Sequence, residues 1–282
     1  MNRIVAKKEL APGIKRLEVE APEIAAAARP GQFVILRIDE KGERIPLTIS
    51  DSDRRRGTIA LVFREAGRTT MELGRLEAGD SIRDLAGPLG KPSEIKLYGK
   101  VVCVGGGVGI AAIYPIARAL KEAGNEVISI IGARDRQQLI LAEEMAEVSD
   151  ALEVATDDGS AGRKGPVTAA LKEVLLGGER IDRVVAVGPL AMMRSVAELT
   201  KPYHIRTIVS LNPIMIDGIG MCGACRLTVG GKTVFACVDG PEFNAHQVDW
   251  DVAMQRSRMF HEEERLAVEH YLSGSECRCG KG

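Results

Sequence analysis

Aromatic side chains and net charge are both scarce in this 282-residue sequence. Aromatic residues make up 4% of the chain, only one of them is a tryptophan, and the formal net charge is −1. Acidic and basic residues are nearly balanced, and no lysine or arginine run marks an electrostatic footprint for nucleic acid. No apolar run approaches the roughly 18–20 residues that a membrane-spanning helix needs. What remains is an ordinary globular composition in a chain long enough for two domains with a small appendage.

The amino terminus also lacks the apolar core of a secretory leader. Charge begins at Arg3 and returns at Lys7 and Lys8, too early for such a segment. We therefore expect a soluble, cytoplasmic protein, in which cysteines are more often metal ligands or redox groups than disulfides. The six cysteines are unevenly spread: one stands alone, three fall between positions 222 and 237, and two end the chain: Cys103, Cys222, Cys225, Cys237, Cys277 and Cys279.

Hydrophobic patterning divides the chain into parts of different character. Short alternating stretches such as 32–38, separated by Gly, Pro and Asp turns, predict a β-barrel or sandwich over residues 1–98. Residues 99–210 alternate apolar strands with helical runs, which predicts an α/β domain with a doubly wound parallel sheet. A Gly- and Cys-rich subdomain is expected over 211–250, and a terminal helix and tail over 251–282.

The most specific pattern is a loop of one aspartate and three cysteines. Four residues separate Asp217 from Cys222, two separate Cys222 from Cys225, and eleven separate Cys225 from Cys237. Cysteines at x4 and x2 spacing with a distant last cysteine are typical of plant-type [2Fe–2S] proteins, and here Asp217 takes the first position. The intervening glycines suit a backbone that must wrap closely around a cluster. The pattern predicts a [2Fe–2S] site with a carboxylate as its fourth ligand.

Two alternatives to the cluster stay open on the sequence alone. One is a structural zinc site that uses the three cysteines and a fourth ligand such as His246 or Cys279. The other is three cysteines that simply pack together. If the cluster forms, the harder carboxylate is expected to raise its reduction potential relative to an all-thiolate site.

Two glycine turns follow predicted strands of the second part. Glycines let the backbone approach a pyrophosphate, and the start of the following helix favours its charge. In the first turn, Ile110 stands where the third glycine of the simple dinucleotide motif belongs. Together, two turns at the carboxyl edge of one sheet predict nucleotide binding; their residues are Gly105, Gly106, Gly107, Val108 and Gly109 in the first and Gly188, Pro189 and Met192 in the second.

Three further polar residues follow neighbouring strands of this sheet. Arg134 suits an NADP 2′-phosphate, although an exposed arginine at a helix start explains it equally well. Asp157 and Asp158 suit the nicotinamide-ribose side, or belong to a loop without a ligand. We include all three among the candidate nucleotide contacts and leave the choice between NAD and NADP open.

The order of motifs resembles the ferredoxin–NADP reductase-like flavoproteins. Arg44-Ile45-Pro46-Leu47-Thr48 is similar to that family's R-x-[YP]-[ST] strand, with its arginine displaced by one position, and Gly67-Arg68-Thr69-Thr70 is similar to its phosphate turn. The resemblance implies that a barrel binds FAD and that Thr48 lies beside flavin N5 as the catalytic hydroxyl. The implied flavin contacts are Arg44, Pro46, Leu47, Thr48, Val62, Phe63, Arg64, Gly67, Arg68, Thr69 and Thr70.

The ligand set of the cluster loop distinguishes between two groups of proteins within this resemblance. Electron-transfer subunits of dihydroorotate dehydrogenase have the same layout with four cysteines, whereas small subunits of NADH-dependent ferredoxin:NADP oxidoreductases have one aspartate and three cysteines. The chain resembles the second group, with Asp217 in the diagnostic position. The resemblance implies hydride exchange between NAD(H) and FAD, and single-electron transfer through the cluster. The implied recipient is a larger FAD/[4Fe–4S] subunit of a bifurcating heterodimer, with ferredoxin reached indirectly.

Overall fold

The structure, a computed structural model, describes residues 2–273. Cys277 and Cys279 lie outside the described residues. Within that range, no helix is long and apolar enough to cross a membrane.

Seven antiparallel strands form the first domain. Their order across the sheet is β6-β1-β2-β5-β4-β3-β7. The two edge strands, β6 and β7, are separated by Arg83 alone, so the sheet curls until its edges meet and forms a nearly closed barrel. The elements are β1 (Asn2–Ala11), β2 (Ile14–Glu20), α1 (Pro22–Ala27), β3 (Phe33–Arg37), β4 (Ile45–Asp53), β5 (Thr58–Arg64), α2 (Arg68–Arg75), β6 (Ser81–Ile82) and β7 (Asp84–Leu89).

The second domain is built on a parallel sheet with helices on both faces. Its elements are β8 (Lys100–Gly106), α3 (Gly109–Glu122), β9 (Glu126–Ala133), α4 (Ala142–Glu147), β10 (Ala151–Thr156), β11 (Arg163–Lys164), α5 (Val167–Leu176), β12 (Arg183–Val187), α6 (Leu190–Thr200) and β13 (Arg206–Ser210). The order β11-β10-β9-β8-β12-β13 reverses direction at β8. In open α/β sheets such a reversal is where ligands bind, beyond the carboxyl ends of the strands.

The core of the second domain follows from its sequence periodicity. The apolar run Val101–Val104 is buried on both faces of β8, as expected for the centre of a parallel sheet. Helix α3 buries Ile110, Ile113 and Leu120, whose spacing puts them on one helical face. The prediction of a barrel followed by a doubly wound sheet and a small cluster-binding segment is confirmed.

The carboxyl-terminal part comprises β14 (Arg226–Val229), β15 (Lys232–Phe235), α7 (Ala236–Asp239), β16 (Glu242–Asn244), α8 (Trp250–Ser257) and α9 (His261–Leu272). Strands β14 and β15 pair as a hairpin, and β16 pairs antiparallel with β13 as the edge strand of the second sheet. The segment predicted as a separate subdomain therefore also contributes a strand to the nucleotide sheet. The predicted domain boundaries stay a prediction.

The sequence predicts one terminal helix, and the structure has two within residues 250–272. Helix α8 buries Ala253 against the second domain, whereas α9 turns back to the barrel and packs on α2. There the guanidinium of Arg75 lies 4.4 Å from the ring centre of Tyr271, a cation–π contact. These two different packing surfaces account for the break between the helices.

Candidate functional site

Asp217 organises the start of the cysteine loop. Its two carboxylate oxygens accept hydrogen bonds from the backbone N–H groups of Ile219 (3.0 Å) and Cys222 (2.6 Å). Burial acts to raise the pKa of Asp217, but these bonds and one with the Cys222 side chain outweigh it, so the pKa lies below its usual value. A charged carboxylate thus lies beside the first cysteine of the motif.

Cys225 and Cys237 form a second pair inside the same loop. Both are buried, and their Sγ atoms lie 3.2 Å apart, too far for a disulfide. Burial, followed by the hydrogen bond with Cys225, raises the pKa of Cys237 to about 12, while the Gly220 backbone N–H opposes that shift. Two buried thiols in contact provide the pair of sulfur ligands that a thiophilic metal binds after they lose their protons.

The four predicted ligands fall into two pairs, Asp217 with Cys222 and Cys225 with Cys237. In residues 2–273, no group of three or more His, Cys, Asp or Glu side chains lies close enough together to hold a single metal ion. Two ligands on each iron is the arrangement of a [2Fe–2S] cluster. The loop therefore fits the predicted cluster.

The zinc alternative with His246 does not match the structure. The Nε2 atom of His246 lies 3.1 Å from the hydroxyl of Thr200, at the start of the β13–β16 pair, rather than at the cysteines. The other proposed fourth ligand, Cys279, lies outside the described residues. Packing alone explains neither the polar pair at Asp217 nor the exposed thiol of Cys222.

Glycines let the loop lie against the barrel. Gly218 has φ +75°, and a Cβ atom there would approach Leu89 and Ile35 of the barrel to 2.6 and 2.8 Å. Gly220 has φ +83° and lies against Val238. The absence of side chains here permits both the left-handed backbone and the close packing.

An arginine that the sequence analysis missed holds the middle of the loop. Nη2 of Arg256, on α8, donates a 2.8 Å hydrogen bond to the carbonyl of Ala224, between the second and third ligands. Its Nε atom is buried with no hydrogen-bond partner in residues 2–273. No local motif marks this residue, because it meets the loop only through the tertiary fold.

The two predicted glycine turns meet at the carboxyl edge of the second sheet. A Cβ on Gly106 would lie 2.5 Å from Sδ of Met192, and one on Gly188 would lie 3.2 Å from the Cα of Gly106. Gly109 approaches β12 most closely, since a Cβ there would lie 2.3 Å from the carbonyl oxygen of Val187. Gly109 thus permits the helix–strand packing for which the simple dinucleotide motif uses its third glycine. Val108 immediately precedes α3.

The remaining nucleotide candidates lie at the same edge. The backbone N–H groups of Asp157 and Asp158 bond the carbonyls of Ala133 and Arg134, which brings the two strand ends together. The carboxylate of Asp158 accepts hydrogen bonds from Ser160, and these lower its pKa. The Asp158 carboxylate therefore stabilises its own turn through Ser160, whereas the Asp157 side chain is exposed.

The candidate flavin strand is β4. Thr48 pairs with Phe33 of β3, and Leu47 packs against the barrel core. By the alternation of a strand, Pro46 and Thr48 point to the opposite side from Leu47. Arg44 is exposed just before the strand begins.

The candidate phosphate turn caps α2. The Thr70 hydroxyl accepts hydrogen bonds from the N–H groups of Ala66 and Gly67 and donates to the Gly67 carbonyl, so it stabilises the turn itself. The Thr69 hydroxyl donates to Glu43 at 2.6 Å, and Arg68 pairs with Glu72. The backbone N–H groups in the first turn of α2 are the donors in this turn that could bind a phosphate.

Strand β5 carries the other flavin candidates. Phe63 packs in the barrel core, whereas Val62 packs against the second domain. Arg64 donates a 3.0 Å hydrogen bond to Gln138 across the two domains and lies 4.0 Å from the Cβ position of Gly107. Arg64 thus lies between the barrel and the nucleotide turn. Gln138 was not identified from the sequence.

Two family models match this chain. Residues 103–198 match the oxidoreductase NAD-binding domain. Residues 212–249 match the iron–sulfur cluster binding domain of dihydroorotate dehydrogenase B, and that range contains all four predicted ligands.

Curated relatives match almost the whole chain. The sequence is 49% identical to a dihydroorotate dehydrogenase B (NAD(+)) electron transfer subunit homolog of Thermotoga maritima, over 96% of both chains. It is 34% identical to the dihydroorotate dehydrogenase B (NAD(+)) electron transfer subunit of Enterococcus faecalis, over 88% of this chain and 97% of that one.

Solved structures extend the comparison to the fold. The chain superposes on a solved structure of an NADH-dependent reduced ferredoxin–NADP oxidoreductase, a protein of flavin-based electron bifurcation. The TM-score is 0.91 and the identity 48%, over 96% of this chain and 98% of that one. It shares its fold with phthalate dioxygenase reductase at a TM-score of 0.58 and 17% identity, over 84% and 94% of the two chains. These findings confirm the predicted resemblance and the predicted cofactors, FAD, [2Fe–2S] and NAD(H).

Proposed function

We propose, on the premise that this chain belongs to the family of dihydroorotate dehydrogenase B electron-transfer subunits and their homologues, that it is the NAD(H)-handling subunit of a bifurcating ferredoxin:NADP oxidoreductase. The chain is an oxidoreductase subunit that transfers electrons. The observation that carries the finer proposal is the carboxylate of Asp217, which lies beside Cys222 in the first ligand position.

The chain's own residues position the redox groups. A bound FAD would supply the change from two-electron to one-electron chemistry, and a bound cluster would supply a one-electron carrier. Thr48, on β4, provides a hydroxyl toward the flavin, and the glycines of the two turns let the nucleotide approach the backbone. Arg64 joins the barrel to the second domain through its hydrogen bond to Gln138 and lies beside the nucleotide turn at Gly107. Asp217, Cys222, Cys225 and Cys237 hold the cluster.

The surface around the cluster loop supports a protein partner. Met221 is 82% exposed, Ile219 58% and Ile216 45%, and they flank the ligands Asp217 and Cys222. Large exposed apolar side chains grouped beside a redox site are typical of a protein interface. We propose that the larger FAD/[4Fe–4S] subunit of a heterodimer covers this surface, which brings its own redox groups near the cluster.

A second candidate is electron transfer to a dihydroorotate dehydrogenase catalytic subunit. The match of residues 212–249 to the iron–sulfur domain of dihydroorotate dehydrogenase B favours it. Asp217 argues against it, since we expect four cysteines in that group. The two candidates share their chemistry and differ in the partner.

Affinity purification of the tagged chain from its native cell, with flavin, iron and sulfide analysis, tests the proposal. We expect a larger subunit that contains flavin and iron–sulfur clusters, and NADH-dependent reduction of the flavin in the complex. Recovery of a dihydroorotate-oxidising subunit would favour the second candidate. A colourless chain that contains zinc would refute both.

A further inference from the structure

A cleft with a basic lining lies at the edge of the second sheet opposite the nucleotide turns. It has a volume of about 380 Å³ and is lined by Lys201, His204, Ile205, Arg206, Asn244 and His246. Arg206 begins β13, which runs parallel to β12 and β8, so the cleft faces away from the carboxyl edge where Gly105–Gly109 lies. The proposed redox function does not use it.

Two short turns build the walls of this cleft. The first, a 3-10 turn over Lys201–Tyr203, ends at His204 in the left-handed region (φ +54°) and leads into β13. The second, a 3-10 turn over Ala245–Gln247, follows β16 and carries His246. Because β13 and β16 are hydrogen-bonded neighbours, the two turns lie side by side and their basic residues converge.

The charges in the cleft are uncompensated. No carboxylate is among the lining residues, and Lys201 and Arg206 form no ion pair within residues 2–273. Arg206 is the register partner of Arg183 on β12, so two guanidinium groups begin adjacent strands. Arg183 has its own acidic partner, Glu94, at 3.2 Å, whereas Arg206 has none. Lys201 and Arg206 are both exposed, so their positive charges are available to a bound anion.

The other polar groups of the cleft also favour an anion. The Oδ1 atom of Asn244 accepts the backbone N–H of His246 at 3.2 Å, which turns the amide so that its NH₂ group is available as a donor. The volume lies in the range of small-molecule pockets, about 300–1,000 Å³. Arginine and lysine together, with amide donors, are the groups that proteins use to bind phosphate.

We propose that this cleft binds a small phosphate-bearing anion through Lys201, Arg206 and the amide of Asn244, at a site separate from the nucleotide and flavin sites. The Ile205 side chain provides the one apolar wall. The opposite ends of β13 and β16 lead into the cluster loop at Leu211 and Pro241, which are themselves joined by a backbone hydrogen bond of 2.9 Å. The anion site and the cluster loop are thus connected through two strands.

Titration calorimetry on the flavin- and cluster-loaded protein tests this proposal. With NAD saturating, so that the nucleotide site is filled, inorganic phosphate and pyrophosphate are titrated at low ionic strength. We expect one anion per chain, a loss of affinity of about tenfold in Arg206→Gln, and a larger loss when Lys201→Gln is added. Lys172→Gln, on an exposed face of α5, is the matched control and should bind as the wild type does.

Three outcomes would overturn the proposal. They are no saturable binding to the wild type, equal affinity in the double variant, and equal loss in the Lys172 control. Binding of a poly-glutamate peptide without binding of phosphate would instead assign the cleft to a protein partner, and would also overturn the small-anion site. Unchanged flavin absorbance and melting temperature establish that the variants are folded, and failure of phosphate binding leaves the redox proposal untouched.

Discussion

Replacement of Arg256 by methionine is expected to loosen the cluster loop without unfolding the protein. The change removes the 2.8 Å hydrogen bond from Nη2 to the Ala224 carbonyl. A hydrogen bond from a charged donor contributes about 1.5–3 kcal/mol. The same change also removes the buried Nε donor that has no partner, whose burial costs about 1–3 kcal/mol.

The two contributions oppose each other in the free energy of global unfolding, but only the lost hydrogen bond affects local opening of the loop. Because the gain and the loss are of similar size, the free energy of unfolding should change by no more than about 2 kcal/mol. Local opening of the loop, however, loses its restraint at Ala224. Since about 1.4 kcal/mol corresponds to tenfold, we expect the cluster to be released to a chelator roughly 10–100 times faster.

The assay is the decay of the visible cluster absorbance under excess chelator, together with denaturant unfolding of the same preparation. Arg258→Met, at an exposed position just after α8, is the matched control and should lose its cluster at the wild-type rate. Loss of a cation near an anionic cluster should also lower the reduction potential. Wild-type cluster retention and potential in Arg256→Met would refute the reasoning.

Three other substitutions test separate parts of the structure. Gly109→Ala places a Cβ 2.3 Å from a backbone oxygen of β12, so we expect about 1–3 kcal/mol of destabilisation and a raised KM for NADH. Thermal unfolding and steady-state kinetics measure these two effects, and unchanged values would contradict the close packing. Asp217→Cys replaces a hard ligand by a soft one and should lower the cluster potential in a redox titration; an unchanged or higher potential would argue against Asp217 as a ligand. Hydrogen bonds from Lys96 and Arg183 lower the pKa of Glu94 to about 2, so its stabilisation is present above the unfolded pKa near 4.5 and is lost as pH falls toward 2. Glu94→Gln should remove that part of the loss of stability in acid. The free energy of unfolding, measured with denaturant at pH 5 and pH 3, checks this, and the same pH dependence in the variant and the wild type would contradict the assignment.

The spacing of the predicted cluster ligands and the positions of the glycine turns can be read from the sequence because both signals are local; that the four residues bind a cluster stays a prediction. Ligand spacing and the glycines that permit it are written into one short segment, and the structure arranges Asp217, Cys222, Cys225 and Cys237 as two pairs. The alternation of strands and helices predicts that the two turns share one edge of the sheet. Their contact through Met192 follows from that arrangement.

Other features depend on contacts between distant segments. Arg256 meets Ala224 across 32 positions, and Arg64 meets Gln138 across 74, with no periodic pattern to mark either pair. The terminal helix is divided because its two halves pack on different domains. Which candidate flavin and nucleotide residues touch their cofactors stays a prediction.

The edge strand β16 has a consequence for how this chain can be divided. It covers β13 with antiparallel hydrogen bonds from Ile208 to Ser210. A fragment that stopped at residue 210 would keep the nucleotide turns but leave that strand's backbone groups unpaired. Exposed strand edges invite pairing with other chains. An isolated nucleotide domain cut at this point would therefore be prone to self-association, and a usable fragment must extend at least through Asn244.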